Sequence, residues 1–424
     1  SNKEKKFLDL LEQNIRVGNS IVSNREIDDK AFDWSNFLQR TGKFDFIVGN
    51  PPYITLKKNK DFDVGESFYK DVINGQVNAA SLMICKGLDL LKDGGILAYI
   101  LPKSLLRVNS YSKLRYYLLN NTRIIHLFEL KDMFKDVRGE QIILMIKKTS
   151  NKQKIKENLV KISFLKNSLE PLEEQPTFFI KQNLFNYFDN FVLLPSKKHY
   201  RLALKLKRKY KSLSDFNVII SRGLSVSPNS DIITREKSGE RTIRGDSIEK
   251  YKIKYELHLD SEKLNKDLLL KRDQLHAKKI VLQNIFSSES GIKATYDEDG
   301  ILTLDTVTNI FTNNSIDDKY LLALLNSKLI NFFLISVIYN NSLLTMHTDS
   351  VYLKQIPIVI PNQEKIECIK KMINKLLKID GPEDKKIVYR EIDNLIYDIY
   401  GIDSDEIKLL DSTLKDIMSK KTFW

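Results

Sequence analysis

Cysteine is almost missing from this sequence. Cys85 and Cys368 are its two examples in 424 residues. Two thiols cannot build a disulfide framework, and the composition fits a reducing, cytoplasmic setting. The five histidines are scattered, with no Cys/His cluster of the spacing a structural zinc site needs, so no metal is expected. Long hydrophobic runs are also lacking. The nearest, Leu329–Tyr339, is short and interrupted by Asn331, whereas a spanning helix needs about 20 apolar residues. No secretory signal is expected, because Lys3–Gln13 reads as a charged helical stretch. Acids are fewer than bases, 55 against 68, which leaves a net charge of +13. A polyanionic partner explains such an excess, and so does a surface of solvated lysines; charge alone leaves both open.

What is present is enough apolar residue, 42%, to build large cores, and length enough for two to four domains. Residues 1–150 alternate helix-like and strand-like segments. Ile15–Val17 reads as a short strand. Phe44–Val48 (FDFIV) is a dense apolar run of the kind that forms a strand buried on both faces. Asn78–Lys92 has helical periodicity and stops at Asp93-Gly94-Gly95. Ile96–Leu101 is a further buried strand, Ser110–Leu119 a helix, and Arg123–Phe128 and Gln141–Ile146 are strands. The order β-α-β-α-β-β predicts an α/β domain around a mostly parallel sheet. Residues 151–196 are polar and read as a connector. Residues 197–360 carry many short strand signals, as in an α+β domain. Residues 361–424 are helical, with Ile387, Val388, Ile392, Leu395, Ile396 and Ile399 as an apolar stripe and Gly401 as its cap. Lys197–Lys211 holds eight basic residues and no acid, with Tyr200 and Tyr210 interleaved. It is either one basic helix face for a phosphate backbone or a solvated helix.

The segment that carries chemistry is Asn50-Pro51-Pro52-Tyr53, directly after the Phe44–Val48 strand. Ligands in open α/β sheets sit at the carboxyl ends of strands. Two prolines fix φ and remove two donors. What is left is an array of acceptors, the Asn50 side-chain oxygen and the Pro51 carbonyl, beside the flat face of Tyr53. Rigid acceptors next to an aromatic suit a planar ligand bearing an amino group.

This tetrapeptide resembles the NPPY motif of amino-group methyltransferases that use S-adenosylmethionine. The resemblance implies that Asn50 and Pro51 accept hydrogen bonds from the target amine and that Tyr53 stacks on its ring. Adenine-N6 DNA, protein-glutamine and guanine-N2 RNA methyltransferases share the motif. The similarity continues through Asn78-Ala79-Ala80, Leu91–Ser104 and Asp132–Lys147. It is to the γ-class, TaqI-like adenine-N6 DNA methyltransferases and the methylase half of type IIG restriction-modification enzymes. In that family a second aromatic stacks on the flipped adenine; Phe134 holds that position here, with a plain core role as the alternative. The pieces Ile220–Asn229, Thr242–Tyr251, Lys278–Asn284, Leu304–Ile310, Leu321–Phe332, Leu353–Pro357 and Glu391–Gly401 resemble, in order, the TaqI-like C-terminal specificity domain. This implies binding to double-stranded DNA, for which Arg222, Arg244 and Lys279 are candidate contacts; surface charge is the alternative for each.

The sequence departs from the family at the cofactor. Among 16 glycines no G-x-G occurs, and too few residues precede Asn50 for the first two βα units. Asn19, in Arg16–Ile21, and Asn50 are the remaining candidate cofactor contacts. The expectation is an N-terminally truncated piece of a longer protein. Its Phe44–Val48 strand should then pair with another chain, or with the N-terminal segment in a register foreign to the family. Two readings follow. One is the motif-bearing half of a site-specific adenine-N6 DNA methyltransferase from a bacterial restriction-modification protein. The other is a DNA-recognition module with no cofactor and no activity of its own. An RNA or protein-glutamine methyltransferase survives only if the C-terminal half does not read DNA.

Overall fold

The computed structural model describes residues 14–22, 28–56, 67–70, 72–75, 77–131, 139–165, 171, 174–226, 230, 232–234 and 239–419. They fall into two compact units that divide between Val192 and Leu193.

The first unit begins with helix α1 (Trp34–Thr41), whose first turn is capped by the Asp33 carboxylate on the Asn36 amide. A six-stranded sheet follows. Its main strands are β1 (Phe44–Gly49), β4 (Leu91–Pro102), β5 (Thr122–Lys131), β6 (Gln141–Lys148), β7 (Leu159–Phe164) and β8 (Thr177–Lys181), in the order β1-β4-β6-β5-β7-β8. A small ladder of β2 (Thr55–Leu56) on β3 (Val77–Asn78) stands apart from it. Helices α2 (Ala79–Leu90) and α3 (Ser112–Asn121) make the crossovers. Asn78 caps α2 by accepting from the Ala80 amide at 3.0 Å.

The sheet is mixed rather than mostly parallel. β1 pairs with β4 and β5 with β7 in parallel, but β6 is antiparallel to both β4 and β5, and β8 to β7. The reason is connection length. Residues 132–140 alone separate β5 from β6, and a parallel crossover needs a dozen or more.

Three other expectations change. The connector, 151–196, contributes β7 and β8, short strands that bury Val160, Ile162 and Ile180 and leave Leu159 and Phe179 exposed; the polar residues around them mask so short an apolar signal. Ile15–Val17 is not a strand, and Val17 is 95% exposed. β1 is an edge strand, not one buried on both faces, with Phe46 and Val48 68% and 79% exposed. Among the described residues the N-terminal segment does not pair with it; the bridge formed there joins Asn19 to Ala31. The composition of β1 is that of a central strand, but among the described residues it has one neighbour.

The second unit opens with helix α4 (Lys197–Lys209). Two four-stranded sheets follow. The first orders β9 (Ile219–Arg222), β16 (Val307–Phe311), β13 (Lys279–Gln283) and β14 (Ala294–Asp297), all antiparallel. The second orders β10 (Ile233–Thr234), β12 (Leu257–Leu259), β11 (Glu240–Ile243) and β15 (Leu302–Thr303), the last pair parallel. Helix α5 (Lys266–Leu275) brings Leu275 into a core with Leu224, Leu259, Leu302 and Leu304. Gly223 is required there, because a Cβ would stand 2.2 Å from the Leu304 carbonyl oxygen.

Helices α6 (Asp318–Asn326) and α7 (Lys328–Phe332) and the π-turn Phe333–Ile338 are almost wholly buried. The apolar run Leu329–Tyr339 is therefore core, and no single described helix is long and apolar enough to cross a membrane. Helices α8 (Gln363–Leu376), α9 (Pro382–Tyr400) and α10 (Ser404–Ser419) close the unit. Val388, Ile392 and Ile396 of the expected stripe are buried while Ile387 is exposed. Gly401 takes the left-handed conformation, φ 59°, that ends α9.

Candidate functional site

Asn50–Tyr53 leaves the carboxyl end of β1, where Gly49 is in register with Tyr99 of β4. Pro51 is buried, Pro52 and Asn50 are exposed, and Tyr53 is half-buried. The Tyr53 hydroxyl donates to Asn50 Oδ1 at 3.3 Å. Burial raises the phenol's pKa, so it remains a neutral donor. Among the described residues no group is seen donating to the Pro51 carbonyl. The loop is fixed downstream by the Ala79 amide on the Ile54 carbonyl, 2.9 Å, and by the β2–β3 ladder. Its acceptors are thus held between β1 and the start of α2.

The cofactor candidate Asn19 is engaged elsewhere. Its Nδ2 donates to Asp28 at 2.7 Å and its Oδ1 accepts from the Ile21 amide at 3.0 Å. The Asn19 hydrogen bond, with the Lys30 amide, holds the Asp28 carboxyl below its usual range. Phe32, Trp34, Phe37 and Phe44 cluster edge-on and stacked beside this loop, and Trp34 donates to the Ser20 carbonyl. Phe134 lies outside the described residues.

Sequence reasoning missed a buried charge cluster at the same end of the sheet. Lys103, just past β4, meets Glu129 of β5 and Glu140, which precedes β6, the latter at 2.6 Å. All three are under 10% exposed. Burial pulls the lysine's pKa down, but the two carboxylates outweigh it and hold the ammonium above its ordinary value. The cluster ties the two ends of the segment that includes Phe134. The hint was a lysine inside the run ILPKS, next to a buried strand.

The three proposed DNA contacts fare differently. Arg222 is bound to Asp349 at 2.7 Å and to the Asp305 carbonyl at 3.0 Å, and stays partly exposed. Arg244 lies along Asp246 and reaches the Tyr255 hydroxyl. Lys279 is no DNA contact. Its side chain is fully buried, and its ammonium is bound by Asp297 and by the carbonyls of Leu275 and Ile301. The charge lies inward because Leu275 and Ile301 leave carbonyls there that need a donor.

Residues 1–134 match the Eco57I restriction-modification methylase family, and residues 240–358 match the TaqI-like C-terminal specificity domain. The chain is related to the TaqI-like restriction-modification methylases. Among curated relatives of these methylases is the type II methyltransferase M.BsuBI of Bacillus subtilis. It is 26% identical over 250 residues, which is 56% of this chain and 48% of the relative. The type II restriction enzyme and methyltransferase RM.Eco57I of Escherichia coli is 29% identical over 158 residues, 35% of this chain and 16% of the relative. The chain thus spans less than half the length of either methylase. The type IIL restriction-modification enzyme MmeI, solved in complex with DNA, shares the fold with a TM-score of 0.58 at 13% identity. The match covers 92% of this chain and 59% of MmeI.

Proposed function

We propose that this chain holds the target amine and recognises DNA within a site-specific adenine-N6 DNA methyltransferase of a restriction-modification protein. The observation that carries the reading is the pair of acceptors, Asn50 Oδ1 and the Pro51 carbonyl, beside the Tyr53 ring at a strand's carboxyl end. An adenine turned out of the duplex presents two N–H groups to these acceptors. A carboxamide oxygen has two lone pairs, so Asn50 can keep the Tyr53 hydroxyl and accept an amine as well. The Tyr53 ring then stacks on the base, and two fixed acceptors orient the amine nitrogen. Positioning of this kind supplies rate without a general base. The TaqI-like domain supports duplex DNA as the partner over RNA or protein.

S-adenosylmethionine is the methyl donor that the kinship of this chain points to. The described residues do not fit it. Asn19 is closed on Asp28 and Ile21, the sequence holds no Gly-rich turn, and among the described residues no strand pairs with the outer edge of β1. No methyl-transfer step is therefore assigned to residues of this chain. The same observations favour a second reading, in which the chain by itself recognises DNA without binding cofactor. Titration calorimetry with S-adenosylmethionine, with and without duplex DNA, separates the two. Cofactor binding supports an enzyme in its own right; duplex binding without it supports the recognition module. Tritiated methyl transfer followed by nucleoside mass spectrometry tests the chemistry. In any assembly that transfers methyl, Asn50→Ala should lower kcat about 10²–10³-fold with Tm unchanged. Methyl on cytosine, RNA or glutamine would sink the adenine reading.

A further inference from the structure

We propose that the exposed face of α4 binds the phosphate backbone of duplex DNA and grips it without reading sequence. The inference rests on the DNA reading above and names the part of the chain that supplies its sequence-independent affinity.

Helix α4 has 13 residues and is about 20 Å long. At about 100° per residue, Lys197, Lys198, Arg201, Lys205, Arg208 and Lys209 fall within one arc of about 120°. His199, Tyr200, Leu202, Ala203 and Leu206 occupy the opposite side and are buried. The helix contains no acid. Lys205 is neutralised, because its ammonium reaches Glu406 and the Gly401 carbonyl. Lys197, Lys198 and Arg201 form no salt bridge among the described residues. Arg201, Leu204, Arg208 and Lys209 line an open groove. Four other arginines of this unit are different: Arg222, Arg241, Arg244 and Arg272 are each held by a carboxylate.

The helix dipole explains part of this pattern and not the rest. It favours Lys207, Arg208 and Lys209 in the last turn. It disfavours Lys197 and Lys198 in the first, where no acid stands and Ser196 provides no side-chain cap. Cations kept against the helix's own field point to an external anion. Duplex DNA offers one charge per about 1.7 Å of axis, and each lysine or arginine that neutralises a phosphate releases counterions. A row of cations along one helix face, with no acid among them, suits the regular line of phosphates on that partner.

The test is fluorescence anisotropy of the full chain with a labelled random-sequence duplex across a salt series. The variant is Lys197→Gln, Lys198→Gln and Arg201→Gln together. The control removes the same charge elsewhere on the unit, by Lys371→Gln, Lys378→Gln and Lys415→Gln, all exposed. The α4 variant should flatten the slope of log affinity against log salt by about 2–3. It should weaken binding on the order of 10²-fold near 0.1 M salt, with unchanged preference among sequences. The control should shift the slope by less than about 1. Circular dichroism melts check folding, and if the triple variant unfolds, Arg201→Gln alone should flatten the slope by about 1. Equal flattening by both triples, or by neither, overturns the α4 surface while leaving DNA binding intact. A wild-type chain that binds no duplex at any salt overturns the DNA reading itself, and this surface with it.

Discussion

Lys103 and Lys279 show what a buried lysine does in this molecule. Each is sealed from water and held by carboxylates, Glu129 and Glu140 for one, Asp297 for the other. Removing one partner of a buried ion pair leaves uncompensated charge, which costs about 3–5 kcal/mol. Lys279→Met should therefore destabilise the second unit by that amount in urea unfolding. It should leave the salt slope of duplex binding unchanged in protein that remains folded; a flattened slope would restore Lys279 as a DNA contact. Lys103→Met should destabilise the first unit similarly, and a further Glu129→Gln should recover part of the loss by discharging one orphaned carboxylate. No recovery would mean that the cluster acts through packing rather than charge. Neither lysine's role was legible in sequence. A lysine beside KIVLQ or after ILP reads as surface charge, because the partners Asp297, Glu129 and Glu140 lie 18 to 37 residues away. The placement of Asn50 and Tyr53 at the carboxyl end of a strand was legible, because the strand and the turn after it are contiguous in sequence.

Among elements, β1 and the turn after β9 show how far local pattern reaches. The FDFIV run announced a strand correctly, but not that it would have one neighbour. An apolar run reports what a strand is suited to, not what lies beside it. Phe46 and Val48 share one face and stand exposed on an edge that is unpaired among the described residues, the arrangement that invites strand pairing and association. Sedimentation velocity should show the wild-type chain associating at tens of micromolar, and Phe46→Lys with Val48→Lys should return it toward monomer. Identical sedimentation of the two would mean that this edge is inert. Gly223 makes the opposite point, since the motif ISRGLSVSPN marked it without saying why. The added methyl of Gly223→Ala would meet the Thr303 and Leu304 carbonyl oxygens at 2.3 and 2.2 Å, and backbone cannot swing aside as a side chain can. Destabilisation of about 1–3 kcal/mol or more is expected, read as a lower urea midpoint. A neutral substitution would show that the β9 turn is freer to move than its packing suggests.

In the molecule as a whole, the order of elements was readable and their connection was not. The α/β half, the α+β half and the closing helices follow from hydrophobic period and turn residues, which are local. The mixed sheet, the two strands inside the supposed connector and the burial of Leu329–Tyr339 depend on which elements meet, and that is set by contacts distant in sequence. His199 illustrates such a contact. It begins a basic helix, yet its ring is buried between Ser196 and Thr413, 2.8 Å from each hydroxyl. Thr413 already donates to the Leu409 carbonyl, so its oxygen accepts from His199 Nε2–H. Burial lowers the ring's pKa from 6.5 to about 4, so it is neutral at pH 7, and its Nδ1 then accepts from the Ser196 hydroxyl. The unfolded chain, with the ordinary value, binds the extra proton first. The stabilisation is thus complete above pH 6.5 and lost as pH falls toward 4, a swing of up to about 3 kcal/mol. Urea unfolding of wild type and His199→Gln at intervals from pH 7.5 to 4.5 should show the difference between them shrinking over that window as the wild type loses its advantage. A difference that stays constant with pH would mean that His199 titrates as it does in the unfolded chain, and that the seam between α4 and α10 is open to water.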